Sequence, residues 1–214
     1  MLELDRGRLQ AFTIAWDVAR RRWFHLYPAE RIDHRDPLHW TRPLQNWNFM
    51  CAECHSTDLK KNYDLRTGSY DTTWHQIDVG CQACHGPASR HLSGTPSKGD
   101  FAVDLAAPDA TMQIETCARC HSRRAVIAGG YRHGERLMQT HQPSLLTADL
   151  YFADGQIRDE VYEYGSFLQS KMYAKGVRCS DCHDPHSLQL RRQGNDLCVG
   201  CHNAGAPAAR SGAG

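Results

Sequence analysis

The sequence predicts a mostly α chain with much irregular loop. Short helices wrap around something other than their own side chains, and one small β-hairpin stands at the N-terminus. Three observations lead there. The mean hydropathy is −0.60 and aromatics are only 9% of the chain, so a side-chain core can be only modest. Seventeen glycines and nine prolines break the chain into short segments. All ten cysteines fall into five C-x-x-C pairs, and histidine follows every pair at once.

The elements follow in chain order. Arg8–Trp16 and Arg22–Tyr27 carry partial alternation and β-formers and predict the hairpin. Residues 28 to 43 read as loop, with Asp36-Pro37 and Arg42-Pro43 as breakers. Pro43 can open a helix running through the first pair to about Lys61. Short helices are expected around Cys81 and Cys117, and loop from Gly86 to Asp100. Ala153-Asp-Gly-Gln156 is a turn signal. From Asp159 to Ala174 the apolar residues 161, 164, 167, 168 and 172 have helical spacing, and Gly176 is placed to cap. The Ala- and Gly-rich tail after His202 is expected to fray. The expected organisation is an N-terminal hairpin and loop segment (1–42), a cysteine-rich domain (43–202) and a flexible tail (203–214).

The first pair is Cys51 and Cys54, followed by His55. The second is Cys81 and Cys84, followed by His85, and the third is Cys117 and Cys120, followed by His121. The fourth is Cys179 and Cys182 with His183, and the fifth is Cys198 and Cys201 with His202. C-x-x-C-H is the attachment signature of c-type haem. Two thiols add to the two vinyl groups of one haem, and the adjacent histidine faces the iron. Two intervening residues let one helical turn present both sulfurs to one porphyrin edge. Five such motifs predict five covalent haem c groups and a haem stack as the core. Zinc ribbons and disulfide scaffolds also use paired cysteines, so a zinc-binding structural module is the alternative from another class. Neither requires a histidine after every pair, and five zinc half-sites leave one unmatched. The motifs start 30, 36, 62 and 19 residues apart, which excludes a short exact repeat.

Five of the thirteen histidines are then proximal ligands. The candidate distal ligands are His186, His91, His141, His39, His34 and His25, in that order, with His75 and His133 weakest. Bis-histidine iron suits electron transfer because both axial positions are filled. His186 ranks first. Only Asp184 and Pro185 separate it from His183, and three residues span about 10 Å at most. It cannot easily round the porphyrin edge to the far face of its own haem, whereas a neighbouring haem is within reach. Met50 and Met172 are expected to pack in the interior.

Cys81-Gln-Ala-Cys-His-Gly-Pro-Ala-Ser-Arg-His91 and Cys179-Ser-Asp-Cys-His-Asp-Pro-His186 resemble multihaem cytochromes related to the tetrahaem electron carrier of nitrifying bacteria. The same motif style occurs in octahaem hydroxylamine-oxidising and tetrathionate-reducing enzymes. Asn46-Trp-Asn-Phe-Met-Cys-Ala-Glu-Cys-His-Ser-Thr57 and Glu163-Tyr-Gly-Ser-Phe-Leu-Gln-Ser-Lys-Met172 are similar to bacterial multihaem cytochromes with C-terminal tetratricopeptide repeats. The resemblance implies an export signal, flanking haem motifs and helical repeats beyond this segment. It also implies that His39 or His25 serves a haem outside the chain. Where such proteins often have histidine near position 152, this one has Phe152, which puts more weight on His141.

The near balance of 25 basic and 24 acidic residues gives no sign of a nucleic-acid binder. No run reaches the ~18 apolar residues of a membrane span. Thioether formation takes place outside the cytoplasm, so a periplasmic or otherwise extracytoplasmic protein is expected. Because MLELDRGRLQ lacks the charged and apolar regions of an export signal, the chain is expected to be a fragment or processed. The expected function is electron transfer with redox partner proteins, either other cytochromes or quinol-linked donors. The alternative is a multihaem reductase or oxidase of small nitrogen or sulfur compounds with one open haem. Ammonia-forming nitrite reductases typically have lysine in the last place of their catalytic motif, and all five motifs here end in histidine.

Overall fold

A computed structural model describes residues 1–94 and 101–203. Its chain divides into two compact units, Met1–Ala83 and Cys84–Gly214. The described residues are mostly irregular, with short helices and two-stranded sheets. The expected α-and-loop class holds, with the longest helix nine residues.

The first unit opens with two hairpins where the sequence suggested one. β1 (Leu2–Leu4) pairs with β2 (Arg8–Gln10), and β3 (Ile14–Asp17) pairs with β4 (Arg22–His25). Arg8–Gln10 turns back on the N-terminus because Gly7, at φ +68, makes a tight turn there. The β3–β4 turn is held by Asp17, whose carboxylate accepts from the Arg20 backbone N–H. α1 (Trp47–Met50) follows. A continuous helix to Lys61 does not form. Cys51 ends α1, Asp58 and Asn62 have positive φ, and Thr57 and Lys60 bridge to Gln76 and Thr73. β5 (Tyr63–Asp64) and β6 (Ser69–Tyr70) form a third hairpin.

A buried polar network fastens α1 to the hairpins. The Asn46 side chain caps α1 by accepting from the Phe49 N–H at 3.0 Å. Asn48, fully buried, accepts from the Leu9 N–H at 2.6 Å and donates to Gly7 C=O at 3.2 Å and Thr72 Oγ1 at 2.8 Å. Gln10 donates to the carbonyls of Trp40 and Arg42.

α2 (Cys81–His85) crosses the division between the units. In the second unit, α3 (Ser89–Leu92) interrupts the expected loop; residues 95–100 lie outside the described residues. α4 (Ala110–Ala118) is capped by Asp109, which accepts from the Thr111 N–H. β7 (Arg124–Val126) pairs with β8 (His141–Pro143). The expected turn at 153–156 is present, with Gly155 at φ +87. The helical run after Asp159 is split into α5 (Glu163–Leu168) and α6 (Lys171–Ala174), because Ser170 caps a new helix by accepting from the Tyr173 N–H. Gly176, at φ +72, ends it. α7 (Cys179–Cys182), β9 (His183–Asp184), β10 (Gln189–Leu190) and α8 (Asp196–Val199) complete the order. The tail from residue 204 lies outside the described residues.

Among the described residues only ten apolar side chains are buried. The main cluster is Ile114, Ala118, Leu137 and Tyr164, with Cys179 against it. Glu115 braces this cluster through a bidentate pair with Arg136 (2.8 and 2.9 Å) and by accepting from the Leu137 N–H at 2.9 Å. Met50 and Met172 are not interior, being 47% and 46% exposed. Met50 ends α1 and Met172 lies on four-residue α6, helices too short to bury more than one side.

Candidate haem attachment sites

Each motif folds as one helical turn. The backbone N–H of His55, His121 and His202 donates to the carbonyl of Cys51, Cys117 and Cys198 at 3.0, 2.9 and 2.9 Å. His183 N–H does the same to Cys179, and α2 contains its whole motif. The second cysteine of a pair joins the same turn. The N–H of Cys54, Cys120 and Cys201 donates to the carbonyl of Cys51, Cys117 and Cys198, each at 3.1 Å. Cys54 and Cys120 are half-buried like their partners Cys51 and Cys117, whereas Cys198 and Cys201 are both exposed.

Both cysteines and the histidine of a motif therefore spread along one turn. Among the described residues no three His, Cys, Asp or Glu side chains are grouped to hold a metal ion. Cys54 with His55, and Cys120 with His121, follow their first cysteines along the same turn, the arrangement that a porphyrin edge asks for. None of the ten thiols is joined in a disulfide.

Local sequence explains the turns. Ala52 and Ala118, one place after the first cysteine, are buried, and Ser56 and Ser122 donate back to their carbonyls at 2.5 and 2.6 Å. Asp181, inside the fourth motif, accepts from the Arg178 N–H at 2.8 Å. Apolar side chains stand exposed beside the motifs: Phe49, Ile77, Val79, Leu188 and Val199. Such surface is costly in water and fits a porphyrin face. The residues present thus fit haem c, which would supply the redox-active iron.

The motif histidines His55, His121, His183 and His202 are exposed and His85 is half-buried. Burial pushes the His85 imidazole below its usual pKa. Three motifs of the second unit meet. Cys117 and Cys179 share a hydrogen bond, and Cys84 and Cys120 are within electrostatic reach of Cys117. α7 is docked on α4 by the Ser180 N–H, which donates to Gln113 Oε1 at 3.0 Å, and by Arg178, which donates to Ala107 C=O and Pro108 C=O. Tyr164 N–H ties α5 to His121 C=O at 3.0 Å.

The spare histidines divide between the units. In the first, His25 Nδ1 accepts from the Tyr27 N–H, His39 Nδ1 is 2.8 Å from Thr41 Oγ1, and His34 and His75 are exposed. In the second, His186 is 80% exposed at its side chain, and its ring lies parallel to that of His85 with centres 6.1 Å apart. His91 packs on Phe101, which also touches His85, and its Nδ1 is buried without a hydrogen-bond partner. His141 is fully buried, with Nδ1 2.8 Å from Thr140 Oγ1. His133, ranked weakest together with His75 from the sequence, sits against Gly86 directly after the second motif; a Cβ there would meet its Cγ at 3.0 Å. The signal was the glycine itself, at φ +71, where the backbone makes room. Sequence reasoning also missed Tyr131. Its ring lies over the Arg119 guanidinium at 3.8 Å and edge-on to His133 and His141 at 5.5 and 6.3 Å. Burial pushes the Tyr131 hydroxyl up.

Two family models match parts of the chain. One, described as a doubled CXXCH motif, covers residues 171–207, and the other, described as cytochrome c554 and c-prime, covers residues 30–86. The dissimilatory sulfite reductase MccA of Wolinella succinogenes is 23% identical over 203 residues, covering 85% of this chain and 26% of that protein. The chain thus spans about a quarter of that relative's length. Among solved structures, an undecaheme cytochrome from the S-layer of Carboxydothermus ferrireducens aligns over 92% of this chain and 33% of its own, with a TM-score of 0.47 and 20% identity. Five helical C-x-x-C-H turns and the matching motif models together make this chain a multihaem c-type cytochrome.

Proposed function

We propose that the chain binds five haems through its five motifs and carries electrons outside the cytoplasm between redox partner proteins, with most irons ligated by two histidines. The observation that carries this is the helical turn common to all five motifs. The second unit's supply of His91, His133, His141 and His186 matches its four motif histidines. Filled axial positions keep reorganisation small on electron uptake. No helix of the described residues is long and apolar enough to cross a membrane. Intact mass after expression with periplasmic maturation machinery should equal apoprotein plus five haems. A mass with three or fewer would overturn the reading.

One observation favours a second reading. Tyr131, Arg119, His133 and His141 gather beside the third attachment turn, and an open haem needs such proton-handling groups near it. Similarity to a sulfite reductase points the same way, toward a reductase of small sulfur or nitrogen oxyanions. Carbon monoxide binding by the reduced protein, with a high-spin ferric signal, selects this reading. A wholly low-spin, carbon monoxide-inert protein selects the carrier.

A further inference from the structure

The rings of His85 and His186 are 10° from parallel with their centres 6.1 Å apart, toward the long end of the range for paired rings. An iron held between two imidazoles, each at a metal–nitrogen distance of about 2 Å, keeps the ring centres about 6 Å apart. His85 already belongs to the motif of Cys81 and Cys84. His186 is otherwise a poorly anchored loop residue. Its side chain is 80% exposed, its Nδ1 is 3.9 Å from Asp184 Oδ1, and its backbone N–H donates weakly to the same oxygen at 3.3 Å.

We propose that His186 is the sixth ligand of the haem held by Cys81, Cys84 and His85, so that the fourth motif's loop clamps the second motif's haem. The inference rests on haem attachment as read above. It makes the fourth motif a junction. Its loop reaches the second motif through His186, its Cys179 packs on the cluster of α4, which carries the third, and its Cys182 lies within electrostatic reach of Cys198 and Cys201 of the fifth. The order of haems in space therefore departs from their order in sequence. His183 and His186, three residues apart, hold two different haems side by side.

The experiment uses the full haem-loaded chain and counts high-spin ferric haems by electron paramagnetic resonance in H186A, H85A and the double variant. Each single variant should convert one haem, and the double should still convert only one, because both residues serve the same iron. Two high-spin haems in the double, or none in H186A, overturns the proposal. Haemochrome quantitation of each variant establishes that the wild-type haem content is retained, which separates failure of this pairing from failure of attachment. H186M adds a readout that a merely structural role would not move. The charge-transfer band of methionine-ligated ferric haem should appear for one haem, and that haem should stay low-spin. Absence of the band in a fully loaded variant speaks against ligation.

Discussion

Replacing Asn48 with alanine removes the centre of the network that holds the first attachment turn. Asn48 is fully buried and accepts from the Leu9 N–H while donating to Gly7 C=O and Thr72 Oγ1. Alanine leaves the Leu9 donor and the Gly7 acceptor without these partners. Thr72 keeps its own bond to Lys61 C=O at 2.8 Å, so its loss is small. Leaving a buried polar group unsatisfied costs about 1–3 kcal/mol. Two such groups, one of them on a weak 3.2 Å contact, set the expected loss at about 3 kcal/mol. At 1.4 kcal/mol per tenfold, that is on the order of a hundredfold in the opening equilibrium. The assay is hydrogen exchange at the Leu9 amide in the haem-loaded protein, with urea unfolding beside it. N48D separates the roles. Its carboxylate still accepts from Leu9 but sets a buried charge against Gly7 C=O. Its pKa should be raised by burial, so the variant is destabilised at neutral pH and recovers as pH falls and the acid gains a proton to donate. Exchange at Leu9 within twofold of wild type in N48A would refute the reasoning.

Further outcomes are expected. E115A should lose about 2–3 kcal/mol, because the Leu137 N–H is left unpaired while Arg136 remains solvated, and E115Q should lose about half as much; equal urea midpoints for the two variants would contradict this. G86A should lose about 2 kcal/mol, since left-handed backbone costs about 1–2 kcal/mol in any other residue and the new Cβ would meet Ala102 Cβ at 2.8 Å. An unchanged thermal midpoint would speak against it. Asp17, Asp64 and Asp184 are held below the ordinary carboxylate value of 3.8 by bonds from the Arg20 and Arg66 backbone N–H groups and the Ser187 hydroxyl. Their contribution is fully present above that value and is lost as pH falls through the lowered pKa values. Stability should therefore be level above about pH 5 in these groups' contribution and drop below about pH 4, as followed by urea midpoint against pH. Loss of stability confined to about pH 5–7 would reverse the assignment.

Attachment chemistry was legible in the sequence because it is local. A C-x-x-C-H turn closes with hydrogen bonds between near neighbours, as from Cys54 and His55 back to Cys51, and the five motifs announce it without knowledge of the rest of the chain. The low hydropathy likewise announced a small side-chain core, and the ten buried apolar side chains among the described residues bear that out. The Asn46–Cys51 stretch was recognisable as particular, but the reason for its two asparagines came only with the hairpin and Thr72 that they join. Local pattern also misled. The periodicity from Asp159 to Ala174 is helical, yet Ser170 starts a second helix because a hydroxyl cap competes with helix continuation. Arg8–Gln10 has strand character, but Gly7 decides that it pairs backward.

The meeting of histidines with motifs belongs to tertiary structure alone. His85 and His186 lie about a hundred residues apart in sequence, and no spacing rule joins them. They meet because Arg178 and Ser180 dock α7 onto α4, which carries the Asp184–His186 loop to the second motif. His133, weakest with His75 by sequence, lies beside that same motif because Gly86 leaves it room. By itself the sequence determined that the chain carries five C-x-x-C-H motifs. Packing between distant segments decided which histidine lies beside which motif, as His186 beside His85, because such meetings depend on approach through space and chain separation sets no limit on them.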